Sequence, residues 1–454
     1  MLKPIEKLAK IIQIPTISNP DLKKIDYSQF DKFEKLIAEL WPLVHQKLEK
    51  KVFPLKAIVF EFPGTDKSLE PIVLLAHYDV VPVPGIDTKK DVTKQTAPGW
   101  DFLPFAGIIE HNKVYGRGSL DDKECIASIL EATEQLLADG FSPKRSILLC
   151  FGSDEEVNGH SQEEVIAWMK QNKINPWMVI DEGGAVVDDA LPAVSSKMAM
   201  VGITEKGVSD IVLIAKAETG HASTPARNGS VTRLAKALVK IEKHRGQIKM
   251  SQVVIKMLQT AGKKASGPMK FVYKHSKGLS PLLSYLFAKM GGETEALVRT
   301  TTAPTQLQGA PAHNILPPVA KANINVRVIT GETIQNTVDR FKKIINDPQI
   351  EVEAIMKNDP APISDVGGVQ WKLLEKALHK SHGDVLATPY IMLGGSDARH
   401  YSKICKTTYR FSPFYMGKDQ RSSLHGFNEY LQIDNFIKGV EFYKEIIKGS
   451  SLKN

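Results

Sequence analysis

Ile72-Val-Leu-Leu-Ala-His77-Tyr-Asp79 is the stretch on which the reading of this chain turns. Its five apolar residues, bounded by Pro71, have the pattern of a buried strand. His77 and Asp79 stand two residues apart at the strand's end and so share one side of it. One can bind a metal while the other holds the imidazole tautomer in place. A buried, satisfied His–Asp pair would give the same pattern, so the neighbouring clusters decide the matter.

Four more acid- or histidine-rich clusters follow at strand or loop ends. Gly116-Arg-Gly-Ser-Leu-Asp121-Asp122-Lys123 makes a tight turn after Lys113-Val-Tyr and opens a helix-patterned run from Cys125. A helix cap needs one carboxylate, and here there are two. The turn lacks both the phosphate-loop spacing and the dinucleotide fingerprint. Ser146-Ile-Leu-Leu-Cys-Phe-Gly152 reads as another buried strand and ends in Asp154-Glu155-Glu156. Three consecutive carboxylates at a strand mouth repel one another unless a cation or proton intervenes. Trp177-Met-Val-Ile-Asp181-Glu182 repeats the arrangement, and His425-Gly-Phe-Asn428-Glu429 closes the series. A pair of hard divalent ions needs several oxygens, one or two imidazoles, a bridging carboxylate and a further carboxylate left as base. In an open α/β sheet, strand ends along one edge are where ligands bind. The inventory therefore points to a two-metal hydrolase.

The ordered motifs H-Y-D-V-V-P, G-R-G-S-L-D-D-K, D-E-E-V-N-G, D-E-G-G, G-H-A-S-T-P, G-G-S-D-A-R-H-Y and H-G-F-N-E resemble the M20 metallopeptidase family. The D-E-G-G and G-G-S-D-x-R-H-Y pieces are most similar to its carboxypeptidase S and N-acyl-amino-acid hydrolase branch. This resemblance implies that His77 ligates one metal, Asp79 orients it, and Asp121 bridges two ions. It further implies Glu155 as general base, Glu156 and His425 as ligands of the second metal, and one of Asp181 and Glu182 completing the first. His221 resembles the family histidine that reaches a partner subunit's active site, where it can stabilise an oxyanion. Arg327 is similar to the arginine that grips the substrate carboxylate through a bidentate fork. Asn314 and the loop Gly394, Gly395, Ser396 look like further substrate contacts. Two divalent ions, zinc first and Co2+ or Mn2+ as alternatives, are implied as cofactors, together with a homodimer formed through an inserted domain.

Composition fits a soluble globular protein: 42% apolar and 24% charged residues in 454. Length alone suggests two or three domains. Cys125, Cys150 and Cys405 form neither a disulfide framework nor a C-x-x-C site, which favours a reduced, cytoplasmic setting. The N-terminal Met1 to Ile12 pattern is a short amphipathic helix without an apolar signal core, and no apolar run is long enough to span a bilayer. The net charge of +8 does not indicate nucleic-acid binding, because no stretch interleaves dense basic residues with stacking aromatics.

The expected architecture is α/β. A mixed-sheet zinc-peptidase catalytic domain with helices on both faces is built from residues 1–197 and 358–454, and an inserted α+β lid or dimerisation domain spans 198–357. Within the insertion, residues 248–300 read as extra helix that either shapes an apolar acyl pocket or only pads the lid. The expected function is hydrolysis of the amide bond in N-acyl amino acids or dipeptides bearing a free C-terminal carboxylate. The alternatives are a strict dipeptidase, a short-chain aminoacylase, and an inactive relative that binds metal or peptide without turnover.

Overall fold

The computed structural model describes residues 2–188 and 190–452 and divides into two compact units. One comprises Met1–Ile203, Ser364–Pro389 and Ser396–Asn454, the other Thr204–Ile363 and Tyr390–Gly395. The second unit thus begins and ends about six residues later than the 198–357 insertion expected from sequence, and it regains Tyr390–Gly395, the end of the strand Leu386–Met392 with the residues after it.

The first unit is organised on an eight-stranded mixed sheet. Its strands run in the order Glu49–Val52, Ile58–Phe62, Ile147–Gly152, Ile72–His77, Met178–Val187, Thr408–Tyr415, Met198–Glu205 and Leu386–Met392. Ile72–His77 lies parallel to both of its neighbours and is buried at every residue, which explains its unbroken apolar run. Val73, Leu75, Leu148, Cys150 and Val179 pack against Val165 and Met169 of the helix Ser161–Gln171. The alternate residues face the other way, where the helix Lys123–Ala138 packs on Ile72–His77 and against the C-terminal helix Ile433–Lys448. Helices therefore flank the sheet, as the α/β reading requires.

The second unit holds a four-stranded antiparallel sheet in the order Thr301–Gln308, Val319–Val328, Gly207–Lys216, Ile350–Ala354. The amphipathic helices Ser230–Lys243 and Ile334–Ile345 bury Leu234, Ala237, Ile241, Val338 and Phe341 against Ile211, Leu213, Ile324 and Val326 of that sheet. The stretch read as extra helix forms Gln252–Ala261, Gly267–Lys274, Ser280–Met290 and Gly292–Ala296. Thr301–Gln308 was not legible as a strand. It is an exposed edge interrupted by Pro304, with a register shift between Pro304 and Gln306, so no apolar alternation marks it.

Candidate metal centre

Parallel register assembles the centre. His77 ends its strand directly beside Gly152, the end of the next, and Leu74 lies beside Ile180, so Asp181 and Glu182 in the middle of Met178–Val187 reach the same edge. Ser153 to Glu156 emerge from the first neighbour, and Asp181 and Glu182 sit further along the second. Asp121 and Asp122 immediately precede the helix Lys123–Ala138, and the Asp122 Oδ2 accepts the His77 amide at 3.1 Å. That bond joins a strand end to a helix start.

At the middle stands the Asp121 carboxylate. Its Oδ1 lies 3.0 Å from His77 Nε2 and its Oδ2 lies 3.0 Å from His425 Nε2. On the His425 side, Glu156 Oε2 is 3.0 Å from the same nitrogen. On the His77 side, Glu182 Oε1 is 3.8 Å from His77 Nε2. His77, Glu155 and Glu182 form one group of converging donor atoms, and His77, Asp121 and Glu156 form another. Donors held at about 2.0–2.2 Å from one ion lie roughly 3–3.5 Å apart, close to these spacings. Glu156 Oε1 is buried with no hydrogen-bond partner, an oxygen left open for a cation. A set of imidazole nitrogens and carboxylate oxygens suits Zn2+, Co2+ or Mn2+. The residues fit two divalent ions, with His77 and Glu182 on one side of Asp121, and His425 and Glu156 on the other.

Burial works against a charged His77, yet the hydrogen bonds its ring donates to Asp121 and Asp79 hold the imidazole well above the usual histidine range. Hydrogen bonds to Asp121 and Glu156 push His425 up to about 10. Burial pushes the Glu155 carboxyl well up, and Asp397 and Glu156 add to that while His77 and Arg399 oppose it. Burial and the nearby Asp121 charge raise Glu182 likewise. Crowded carboxylates and imidazolium partners of this kind are what metal binding replaces.

The three acids Asp154, Glu155 and Glu156 take different roles. Asp154 turns back to cap the helix Ser161–Gln171, its oxygens accepting from the amides of His160 at 2.9 Å and Ser161 at 3.1 Å and from the Ser161 hydroxyl. Gly159 is obligatory there, since a Cβ would fall 2.0 Å from the Asp154 carboxyl carbon. Asp79 holds the remaining pair: its oxygens accept the amides of Glu155 and Glu156, each at 3.1 Å, and Oδ1 lies 3.2 Å from His77 Nδ1. Asp181 and Glu182, left as alternatives by sequence, separate clearly. Both Asp181 oxygens are taken by backbone amides, Glu182 at 2.9 Å and Ala398 at 2.6 Å. Glu182 is the one that converges on His77.

Sequence reasoning passed over two pairs inside its own motifs. Arg117 and Glu429 are both buried, and the Glu429 carboxylate accepts from the Arg117 guanidinium and from the amides of Gly118 at 3.0 Å and Leu120 at 2.8 Å. Arg117 also donates to the Gly426 carbonyl at 2.9 Å. The loop bearing His425 is thereby fastened to the loop bearing Asp121. Arg399 donates to the Ser396 carbonyl at 3.0 Å and lies 3.5 Å from Glu155 Oε1. The spacing between residues 117 and 429 hides the first pair, and only the alternation of charge within G-G-S-D-A-R-H-Y hints at the second.

The remaining candidates lie in the second unit. His221 and Asn314 are neighbours on a short ribbon: Gly220–His221 pairs with Ile315–Leu316, and the Ala222 amide donates to the Asn314 carbonyl at 3.2 Å. Both side chains are exposed. Arg327 lies on the strand Val319–Val328, its Nε donating to Asn325 Oδ1 at 3.3 Å. Gly394 and Gly395 belong to this unit, whereas Ser396 belongs to the first.

A model described as peptidase family M20/M25/M40 matches residues 73–449. A probable carboxypeptidase S-like 2 of Dictyostelium discoideum is 32% identical across 98% of this chain and 84% of its own length. The human N-fatty-acyl-amino acid synthase/hydrolase PM20D1 is 30% identical across 98% of this chain and 87% of its own. Among solved structures, the M20 family metallo-carboxypeptidase Sso-CP2 from Sulfolobus solfataricus aligns with a TM-score of 0.69 at 18% identity, covering 99% of both chains. Human carnosine dipeptidase 1 aligns at 0.65 and 14% identity, over 98% of this chain and 95% of its own. These two structural matches establish the shared fold.

Proposed function

Because the chain belongs to peptidase family M20/M25/M40, and so is a metal-dependent hydrolase, we propose that it cleaves the amide of N-acyl amino acids or dipeptides through a two-ion centre. The observation that carries this reading is the Asp121 carboxylate, with one oxygen 3.0 Å from each of two imidazoles. Full-length likeness to proteins named carboxypeptidase S-like and N-fatty-acyl-amino acid synthase/hydrolase supports the substrate class.

Bound divalent ions would supply Lewis acidity toward the scissile carbonyl and toward water. His77, Asp121, Glu156, Glu182 and His425 would hold them, with zinc as the expected metal. Asp79 fixes the His77 ring and the turn carrying Glu155, so the base keeps its place as the substrate enters. Glu155, whose carboxylate lies 3.5 Å from the Arg399 guanidinium, takes the proton from water and returns it to the leaving nitrogen. Arg327 and Asn314 hold the substrate's free carboxylate end together with the Gly394–Ser396 loop, and His221 steadies the developing oxyanion. The second unit then acts as the lid and as the surface of a homodimer. A cytoplasmic setting belongs to the same proposal, supported by three cysteines that are all free and buried.

The test is amine release by metal-loaded protein from acetyl- to oleoyl-amino acids, a few dipeptides, and the carboxamide of each. Turnover of the acids and silence of the carboxamides is the expected result. Turnover of dipeptides alone would restrict the reading to a dipeptidase, and silence across the panel would overturn it.

A further inference from the structure

Residues 246–292 contain eight lysines (249, 256, 263, 264, 270, 274, 277 and 289) and no aspartate or glutamate. Removing those eight from the chain's 59 basic residues leaves as many as its 51 acids. The whole formal excess of positive charge therefore resides in one helical segment of the second unit. All eight lysines are exposed.

The same segment exposes apolar side chains where a water-facing helix should be polar. On the helix Ser280–Met290, Leu282, Tyr285, Leu286 and Met290 are 57%, 50%, 44% and 69% exposed. Lys289 is exposed beside them. The spacing i, i+3, i+4, i+7, i+8 puts these five on one face. The inward side of that helix is covered by Leu283 and Ser284, which are buried. On Gly267–Lys274, Phe271 is 64% exposed between Lys270 and Lys274. Isolated exposed apolar residues are ordinary, but a whole helical face of them is not.

We propose that the helical segment 249–290 docks the protein on the surface of an anionic phospholipid bilayer, with Leu282, Tyr285, Leu286 and Met290 entering the interface and the lysines meeting the headgroups. Apolar burial and attraction to acidic lipid add together in such helices, and lysine stems extend along an apolar surface while their heads stay in water. A second copy of this chain would set two acid-free, lysine-rich faces against each other, so charge opposes self-association here. A nucleic acid would match the lysines and leave the aliphatic face unused. No described helix is long and apolar enough to cross a membrane, so the contact is peripheral. The inference stands apart from the metal centre and does not depend on it.

The experiment is flotation of the full chain with vesicles of phosphatidylcholine alone and of phosphatidylcholine containing about one-third phosphatidylserine. Three proteins are compared: the wild type, the triple variant Lys270→Glu, Lys274→Glu, Lys277→Glu, and the double variant Leu282→Ser, Leu286→Ser. Each lysine near an acidic surface is worth about a fivefold change in partitioning. The wild type should float with the acidic vesicles only, and should release at high salt. Both variants should lose at least about tenfold in binding while keeping the wild-type melting temperature. Equal recovery with both vesicle types, recovery with neither, or wild-type binding by either variant overturns the proposal. A concentration-dependent dimer abolished by the double variant, without lipid binding, would assign the face to a second copy instead.

Discussion

Glu155 and Glu156 are neighbours, yet the turn that carries them gives their carboxylates different surroundings. Glu156 leans on His425, while Glu155 lies near His77 and is paired only at 3.5 Å with the Arg399 guanidinium. Glu155→Gln should therefore retain full metal content and melting temperature while kcat falls about a thousandfold, in line with the loss of a general base. Metal analysis beside steady-state rates checks it, and retained turnover would remove Glu155 from that role. Asp181 and Glu182 call for the opposite comparison. Glu182→Gln should lower bound metal toward one ion per chain, whereas Asp181→Asn, which disturbs bonds to the Glu182 and Ala398 amides, should lower stability by about 1–3 kcal/mol with smaller metal loss. Sequence left this pair open because adjacent strand residues face opposite sides, and nothing local says which side holds the site. The His425 proton gives a signed pH dependence. In metal-free protein its imidazole is pushed up to about 10 by Asp121 and Glu156, so metal must displace that proton across the neutral range. Apparent metal affinity should rise with pH between 6 and 8, by up to about tenfold per unit for this one group. Calorimetry in buffers of different ionisation enthalpy should show proton release on binding, and pH-independent affinity would contradict the assignment.

Among the elements, the loops matter as much as the strands. The strand ends were legible because parallel central strands must be continuously apolar and their polar residues can come only at the ends. The bond that fastens the His425 loop was not, since Arg117 and Glu429 become partners only when the chain has folded. Burial pushes the Glu429 carboxyl up to about 7 even beside Arg117, so the pair is costly to split. Glu429→Gln or Arg117→Met should destabilise the protein by about 3–5 kcal/mol, as expected when one buried ionic partner is left alone. The same variants should weaken binding of the ion beside His425 more than that of the ion beside His77. Chemical denaturation and metal titration measure the two effects, and an unchanged metal affinity would show that the His425 loop is held by other contacts. The edge strand Thr301–Gln308 illustrates the opposite limit. Backbone pairing with Val319–Val328 holds it, and its mostly exposed side chains carry no signature that a reader of sequence could use.

At the scale of the whole molecule, the chain gathers its centre from residues 77 to 425 within one unit, and an intervening unit carries His221, Asn314 and Arg327. Motif order suggested a division of this kind, because the acids cluster before residue 183 and the last histidine returns near the C-terminus. The boundaries shifted because Met198–Glu205 and Leu386–Met392 each run through the division between units; a strand that continues across a boundary leaves no break in its pattern. Arg327→Met should raise KM for a carboxylate-bearing substrate by about a hundredfold with little change in kcat, the loss of a charge-assisted pair made equally in ground and transition states. An effect confined to kcat would place Arg327 elsewhere in the reaction. The most direct measurement is turnover of an N-acyl amino acid by chelator-stripped protein titrated with zinc. Activity absent without metal, rising to a plateau near two equivalents per chain, and lost in Asp121→Asn is the result that a carboxylate bridge between two ions predicts. Full activity without metal, or a plateau at one equivalent, would contradict it.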